Sequence, residues 1–137
     1  MITYNDSAEN KIRIPLSTVK AGFPSPAGDY EESPISLDKL LISNPSSTFL
    51  LKVSGESMID AGIQTGDLLV VDCSLQPRQN DIVVAILEGE FTVKIYKKDS
   101  TGIYLYPAND SYPIFELAKF SDSSIWGVVT SVIRKIR

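Results

Sequence analysis

The sequence predicts a mainly β protein: a bent, partly closed antiparallel domain with an extended N-terminal arm and one short helix. Three observations predict it. From Thr48 to the C-terminus, short strand-like runs follow one another at hairpin spacing. The first forty or so residues lack an apolar period and are dense in proline. Hydrophobic residues make up 43% of the chain and recur through those later runs, so a core can form there. Short strands joined mostly by turns favour antiparallel pairing.

Taken in order, residues 1–11 are polar and without period. The next stretch carries Pro15, Pro24, Pro26 and Pro34 with Gly22 and Gly28. Prolines at that density forbid a long helix or a central strand and favour extended chain. Residues 1–40 are therefore expected to form an arm or loop, and residues 41–137 the folded domain. Ser36 offers an N-cap for a short helix, Leu37 to Ile42, with Asp38 in its first turn and Pro45 beyond its end. The strand-like runs are Thr48–Val53, Leu68–Asp72, Ile82–Leu87, Phe91–Lys97, Ile103–Tyr106 and Ile125–Ile136. Gly66-Asp67 introduces the second, and Glu88-Gly89-Glu90 joins the third and fourth as a hairpin loop.

Composition excludes several functions. Thirteen basic against seventeen acidic side chains give a net charge of −4. That balance argues against direct nucleic-acid binding, which needs a basic patch; the terminal IRKIR is too short to reverse it. No stretch approaches the roughly 20 apolar residues that span a bilayer, and MITYNDSAENKIRI lacks the features of a secretion signal. A soluble, cytoplasmic protein without a membrane partner is expected. The single cysteine, Cys73, reads as a small hydrophobe at a strand end. With no histidine and no spaced acidic cluster, neither a metal nor a cofactor is expected.

The stretch VSGESMIDAG (Val53 to Gly62) places Ser57 in a turn of glycine and small residues. A serine there can be a nucleophile, or it can cap a backbone donor, as serines after glycine commonly do. Without histidine, the available bases are carboxylates and lysines. A neutral lysine is a competent base when desolvation lowers its pKa. Lys97 and Lys98 adjoin Asp99 and read as solvated, Lys52 precedes the turn, and Lys11, Lys20, Lys39, Lys119 and Lys135 fall in the arm, helix, loop or tail. Lys94 stands in mid-strand in EFTVKIY. The strand period puts Phe91, Val93 and Ile95 on one face and Thr92, Lys94 and Tyr96 on the other, the pattern of an ordinary solvent-facing lysine. Periodicity joins no base to Ser57, and both readings of the serine stay open.

The order SGESMIDAGIQTGDLLVVD, then NDIVVA (80–85), then GEFTVK (89–94) closely resembles the self-cleaving domain of the LexA/UmuD family of Ser-Lys proteases, of the peptidase S24 type. AGFPSPAGDY (21–30), LDKLLISNPSSTFLLKVSGESMID (37–60) and WGVV (126–129) extend the resemblance over nearly the whole chain and are similar to the UmuD-like, SOS-mutagenesis branch. The resemblance implies that Ser57 is the nucleophile and Lys94 the general base. It implies an oxyanion site at the Ser57 backbone N–H, with the Met58 N–H as a second candidate donor, and a scissile bond at Ala21-Gly22. UmuD itself often carries cysteine before that glycine, whereas alanine stands here, as in LexA-type members. Asn80 replaces a family glycine and is a residue that tolerates the left-handed conformation. About twenty residues precede the cleavage motif, which leaves no room for the helix-turn-helix domain of the family's repressors.

What the resemblance implies is a switch in bacterial cytoplasm. A RecA filament on single-stranded DNA stimulates self-cleavage, and the shortened homodimer then joins a Y-family, UmuC-like error-prone polymerase as its accessory subunit. WGVVTSVI is either a dimer surface or a plain core strand. Two further readings remain: a non-cleaving interaction module that regulates the polymerase, and a signal-peptidase-like protease acting in trans.

Overall fold

The computed structural model of the chain describes residues 11–15, 21, 22 and 32–137. Pro24, Pro26 and Gly28, together with the polar residues 1–10, lie outside the described residues. The chain divides after Ser43 into two compact units.

In the N-terminal unit, β1 (Lys11–Pro15) pairs antiparallel with β2 (Glu32–Ser36), from Lys11 opposite Ser36 to Pro15 opposite Glu32. Each strand of a two-stranded sheet is an edge, the place in a sheet that tolerates proline, so Pro15 and Pro34 fit the pairing. The proline-rich segment thus adds a strand pair to the extended chain its composition predicts. Helix α1 (Leu37–Leu41) follows, one residue shorter than expected. Ser36 is its cap, its hydroxyl accepting from the Lys39 N–H at 3.5 Å.

The second unit is an antiparallel sheet of seven strands: β3 (Thr48–Lys52), β4 (Leu68–Asp72), β5 (Ile82–Leu87), β6 (Glu90–Asp99), β7 (Gly102–Tyr106), β8 (Phe115–Glu116) and β9 (Ser124–Ile133). Their order is β3-β4-β9-β5-β6-β7-β8, so β3 and β8 are the edges and the sheet does not close into a barrel. Register shifts at Val70/Val71 and Val84/Ala85, both opposite β9, supply the bend. The β5–β6 hairpin turns on only two residues. Glu88 (φ 52°) and Gly89 (φ 84°) both adopt positive φ, as a type I′ turn requires, and Glu90 already pairs with Leu87. Asn80, at φ 70°, takes the left-handed conformation anticipated for it. The short β8 is absent from the sequence reading. Among the described residues, no helix is long and apolar enough to cross a membrane.

Both faces of the central strands are covered. Val84 belongs to one core with Met58, Ile63, Leu69 and Val71, whereas Val83 and Ala85 belong to another with Tyr96, Leu105 and Val128. WGVV lies within β9, an interior strand of the sheet, with Trp126 ringed by Phe49 and Phe91 at centroid distances of 5.2 and 4.9 Å. The unit's first residue is fastened by buried Asp72, which accepts from Asn44 Nδ2 (2.7 Å), Ser47 Oγ (3.0 Å), and the N–H and hydroxyl of Ser74 (2.9 and 2.6 Å). Burial would raise the Asp72 pKa, but these donors outweigh it and hold it at about 2. Cys73 is a partly buried free thiol whose pKa is raised by burial and by the Asp72 charge.

Gly127 is where β9 passes closest to its neighbours. A Cβ there would lie 2.6 Å from Val71 Cγ1 and 3.2 Å from Cys73 Sγ, and Val71 is fully buried. Gly127→Ala is expected to destabilise the protein by about 1–3 kcal/mol, the usual cost of overpacking a core. Urea denaturation checks this; an unchanged midpoint and slope contradict it.

Candidate active site

The turn that carries Ser57 is a closed loop between β3 and β4. The Val53 N–H donates to Asp67 O (2.8 Å) and the Gly66 N–H to Val53 O (2.9 Å), drawing its ends together. Gly55 takes a φ of 106° that a side chain would strain. The Thr65 hydroxyl brackets it, accepting from the Gly55 N–H and donating to the Gly55 carbonyl, both at 3.0 Å. Immediately after Ser57, the Met58 side chain is buried in the first core. A short 3-10 turn, Ile59–Ala61, follows.

A second grip comes from the loop after β7. The Ala108 N–H donates to Ser57 O and the Asp60 N–H to Ala108 O, each at 2.8 Å, while Asn109 Nδ2 donates to Glu56 O at 2.9 Å. The Ser57 turn is therefore fixed by hydrogen bonds to its backbone on both sides. Among the described residues, neither the Ser57 nor the Met58 N–H donates a hydrogen bond. Two amide donors thus remain available beside the Ser57 hydroxyl.

Lys94 does not face solvent, contrary to its strand pattern. It is 4% exposed, while Phe91, assigned by period to the opposite, apolar face, is 56% exposed. The reason is the double covering of β6: Val93 and Ile95 pack on one core and Tyr96 belongs to the other, so alternation does not distinguish an inner from an outer face. Lys94 Nζ lies 3.1 Å from Ser57 Oγ, 2.9 Å from Thr92 Oγ1 and 3.1 Å from the Val93 carbonyl. The Phe115 ring of β8 stands 6.0 Å from it. Among the described residues no carboxylate pairs with this amine. Burial alone pushes its pKa below that of a free lysine.

Beside the pair lies a cleft of about 260 Å³, lined by Leu51 and Val53 of the β3 edge, by Gly55, Ser57 and Met58, and by Val93. Ala21 and Gly22 are exposed in a bend of the N-terminal unit, with Gly22 at φ 94°. Among the described residues no cluster of three or more His, Cys, Asp or Glu side chains could hold a metal ion. The structure thus brings Ser57 and Lys94 together 37 residues apart in sequence. Sequence reasoning missed Thr92, which shares the Lys94 face by period, and Ala108, Asn109 and Phe115, for which no local signal exists. It weighed Arg134 only as part of a short basic end, and gave no sign that its guanidinium bonds Asp67 and the Gly62 carbonyl.

Comparison with known proteins is consistent with this geometry. The Peptidase S24-like family model matches residues 14–130. The chain belongs to the peptidase S24-like family. It is 48% identical over 118 residues to Protein ImpA of Escherichia coli, covering 86% of this chain and 80% of that one. Protein MucA of Escherichia coli is 42% identical over 125 residues, 90% of this chain and 85% of that one. The LexA repressor of Mycobacteroides abscessus is 41% identical over 121 residues, which span 88% of this chain but 52% of the repressor. The S24-like match thus takes in Ser57, Lys94 and the loop that holds the serine turn.

A buried amine with no counter-charge among the described residues burdens the fold of this S24-like chain. Because the folded pKa of Lys94 lies below the unfolded one, the unfolded chain binds more protons between the two values, and stability rises with pH there. Below the folded pKa the full cost of burying the charge is present. Lys94→Met is expected to be about 1 kcal/mol more stable than wild type at pH 7, with the gap narrowing as pH rises toward 10. Thermal melts across that range check it; a less stable variant at pH 7 contradicts it.

Proposed function

We propose that this chain is a self-cleaving serine endopeptidase that uses a Ser57-Lys94 dyad to cut its own Ala21-Gly22 bond. The observation that carries the reading is the buried Lys94 amine, without a carboxylate partner among the described residues, 3.1 Å from the Ser57 hydroxyl.

The surroundings of Nζ suit a neutral amine. A neutral amine has two N–H donors and one lone pair. Thr92 Oγ1 and the Val93 carbonyl take the two donors, leaving the lone pair to accept from the Ser57 hydroxyl. Lys94 then removes the Ser57 proton as Oγ attacks the Ala21 carbonyl carbon. The tetrahedral oxyanion is received by the Ser57 and Met58 amides, each worth roughly 3–4 kcal/mol by analogy with other oxyanion donors. Protonated Lys94 returns its proton to the departing Gly22 nitrogen, and the C–N bond breaks. Water, deprotonated by Lys94, hydrolyses the Ala21 ester and frees Ser57.

The substrate side rests on chain chemistry. Alanine and glycine at the bond suit a shallow cleft, and an extended segment can lie along the open edge of β3 by strand addition. About 35 residues separate the bond from Ser57, at roughly 3.3 Å each. That reach serves cleavage within a chain or between partners of a homodimer. Docking the segment would exclude water from Lys94 and favour the neutral amine further.

The resemblance to the UmuD-like branch supports the wider role: activation by a RecA filament on single-stranded DNA, then service of the processed homodimer as accessory subunit of a Y-family, UmuC-like polymerase. The reaction is performed once, and the product is a binding module in bacterial cytoplasm. A net charge of −4 is in keeping with protein partners.

Incubation of purified protein at pH 7 to 10, followed by intact-mass measurement, tests the reading. Wild type is expected to yield a fragment running from Gly22 to Arg137, faster as pH rises because the reactive form is the unprotonated amine. Ser57→Ala should stay intact, and Lys94→Ala should lose about 10²–10⁴ in rate, the usual worth of a general base. A pH-independent rate or unimpaired cleavage by Lys94→Ala would sink the mechanism. An intact wild type at every pH and with activated filament would favour the non-cleaving interaction module.

A further inference from the structure

The C-terminal end of β9 reaches back to the nucleophile turn through one side chain. Arg134 donates from Nε to Asp67 Oδ1 (2.7 Å) and from one terminal nitrogen to Asp67 Oδ2 (2.6 Å) and to the Gly62 carbonyl (2.7 Å). Both acceptors follow Ser57 in its loop, one in the middle and one at the end. Gly62 closes the 3-10 turn that begins two residues after the serine, and its N–H donates to Ile59 O. Asp67 closes the loop: its carbonyl accepts from Val53 N–H, and its carboxylate also accepts from the Gln64 N–H at 2.8 Å.

Asp67 is 2% exposed, so its carboxylate depends on these donors. The Arg134 hydrogen bond, followed by that from Gln64, holds its pKa at about 2. It is ionised throughout the neutral and alkaline range in which lysine chemistry operates. A planar guanidinium can meet both carboxylate oxygens and a carbonyl at once, which an ammonium on a flexible stem cannot do as rigidly.

We propose that Arg134 is a positioning residue: by bridging Asp67 and the Gly62 carbonyl, it holds the turn that presents Ser57 to Lys94. It touches neither the serine nor the amine and acts only through the loop. Its kinetic consequence rests on the self-cleavage reading, whereas its effect on the loop does not.

Amide hydrogen exchange and self-cleavage, measured on the full chain well below its melting temperature, test the two parts separately. In Arg134→Ala, the amides of Ala61, Gly62 and Ile63, which bond within the turn, are expected to exchange about tenfold faster. The core amides of Val83, Val84 and Ala85 should be unchanged. The cleavage rate of the folded protein should fall roughly 10- to 100-fold, the scale on which a small misplacement acts. Its pH midpoint should stay in place, since Lys94 remains buried. Arg134→Lys should restore part of the rate, and Asp67→Asn should reproduce the loss if Arg134→Ala folds poorly. Unchanged exchange at 61–63, equal acceleration of the core amides, or faster turn exchange with an unaltered cleavage rate would each overturn the proposal. Faster turn exchange in a protein whose wild type never cleaves would overturn the self-cleavage reading and leave the positioning role standing.

Discussion

The rest of the site depends on one arrangement: the Lys94 amine held out of water against the Ser57 hydroxyl, without a counter-charge among the described residues. An ammonium in that place loses hydration and receives only neutral acceptors in return. The fold supplies three oxygens and the face of an aromatic ring, and no carboxylate among the described residues. A carboxylate would have kept the lysine protonated and a more stable protein inert. The disfavoured charge is thus a local cost to stability that the chemistry proposed for Ser57 requires.

Such a pair works only if both partners are held still. Lys94 is fixed by its strand, paired to β5 with Val83 opposite it, and by the cores on both faces. Ser57 stands on a loop, which is the softer kind of support, and the structure compensates with anchors from three directions. Met58 enters the core beside it, Ala108 and Asn109 bind the backbone of residues 56, 57 and 60, and Arg134, just after β9, holds the later half of the loop at Gly62 and Asp67. Among the described residues, the Ser57 side chain bonds only Lys94, and the Ser57 and Met58 amides have no hydrogen-bond partner. Rigidity is invested around Ser57 while its own bonding capacity stays open.

Much of this fold was legible in the sequence. Leu68–Asp72 and Ile82–Leu87 were read with their observed bounds, the Ser36 cap stands where expected, and Asn80 takes its positive φ. These are local signals: β-branched runs, a capping hydroxyl, a side chain that tolerates the left-handed region. The candidate site was legible in composition and family motif but not in pattern. Alternation assigns Lys94 to a face correctly, with Thr92 and Tyr96, yet it cannot say whether that face is wet. In β6 both faces are covered, and the exposed aromatic is Phe91. β8 spans two residues and has too little length for any period. The pairing of β1 with β2 joins segments about twenty residues apart, each with a proline that local rules count against a strand. Arg134 and Asp67 meet across 67 residues, a contact that topology alone creates.

The central claim is a statement about one proton, and it can be read directly. In Ser57→Ala, which cannot cleave itself by the proposed route, the side-chain nitrogen of Lys94 can be titrated by heteronuclear NMR from pH 6 to 11. A midpoint well below that of a free lysine in water is expected. A Lys94 that titrates like a free lysine would contradict the assignment of this amine as the base for Ser57.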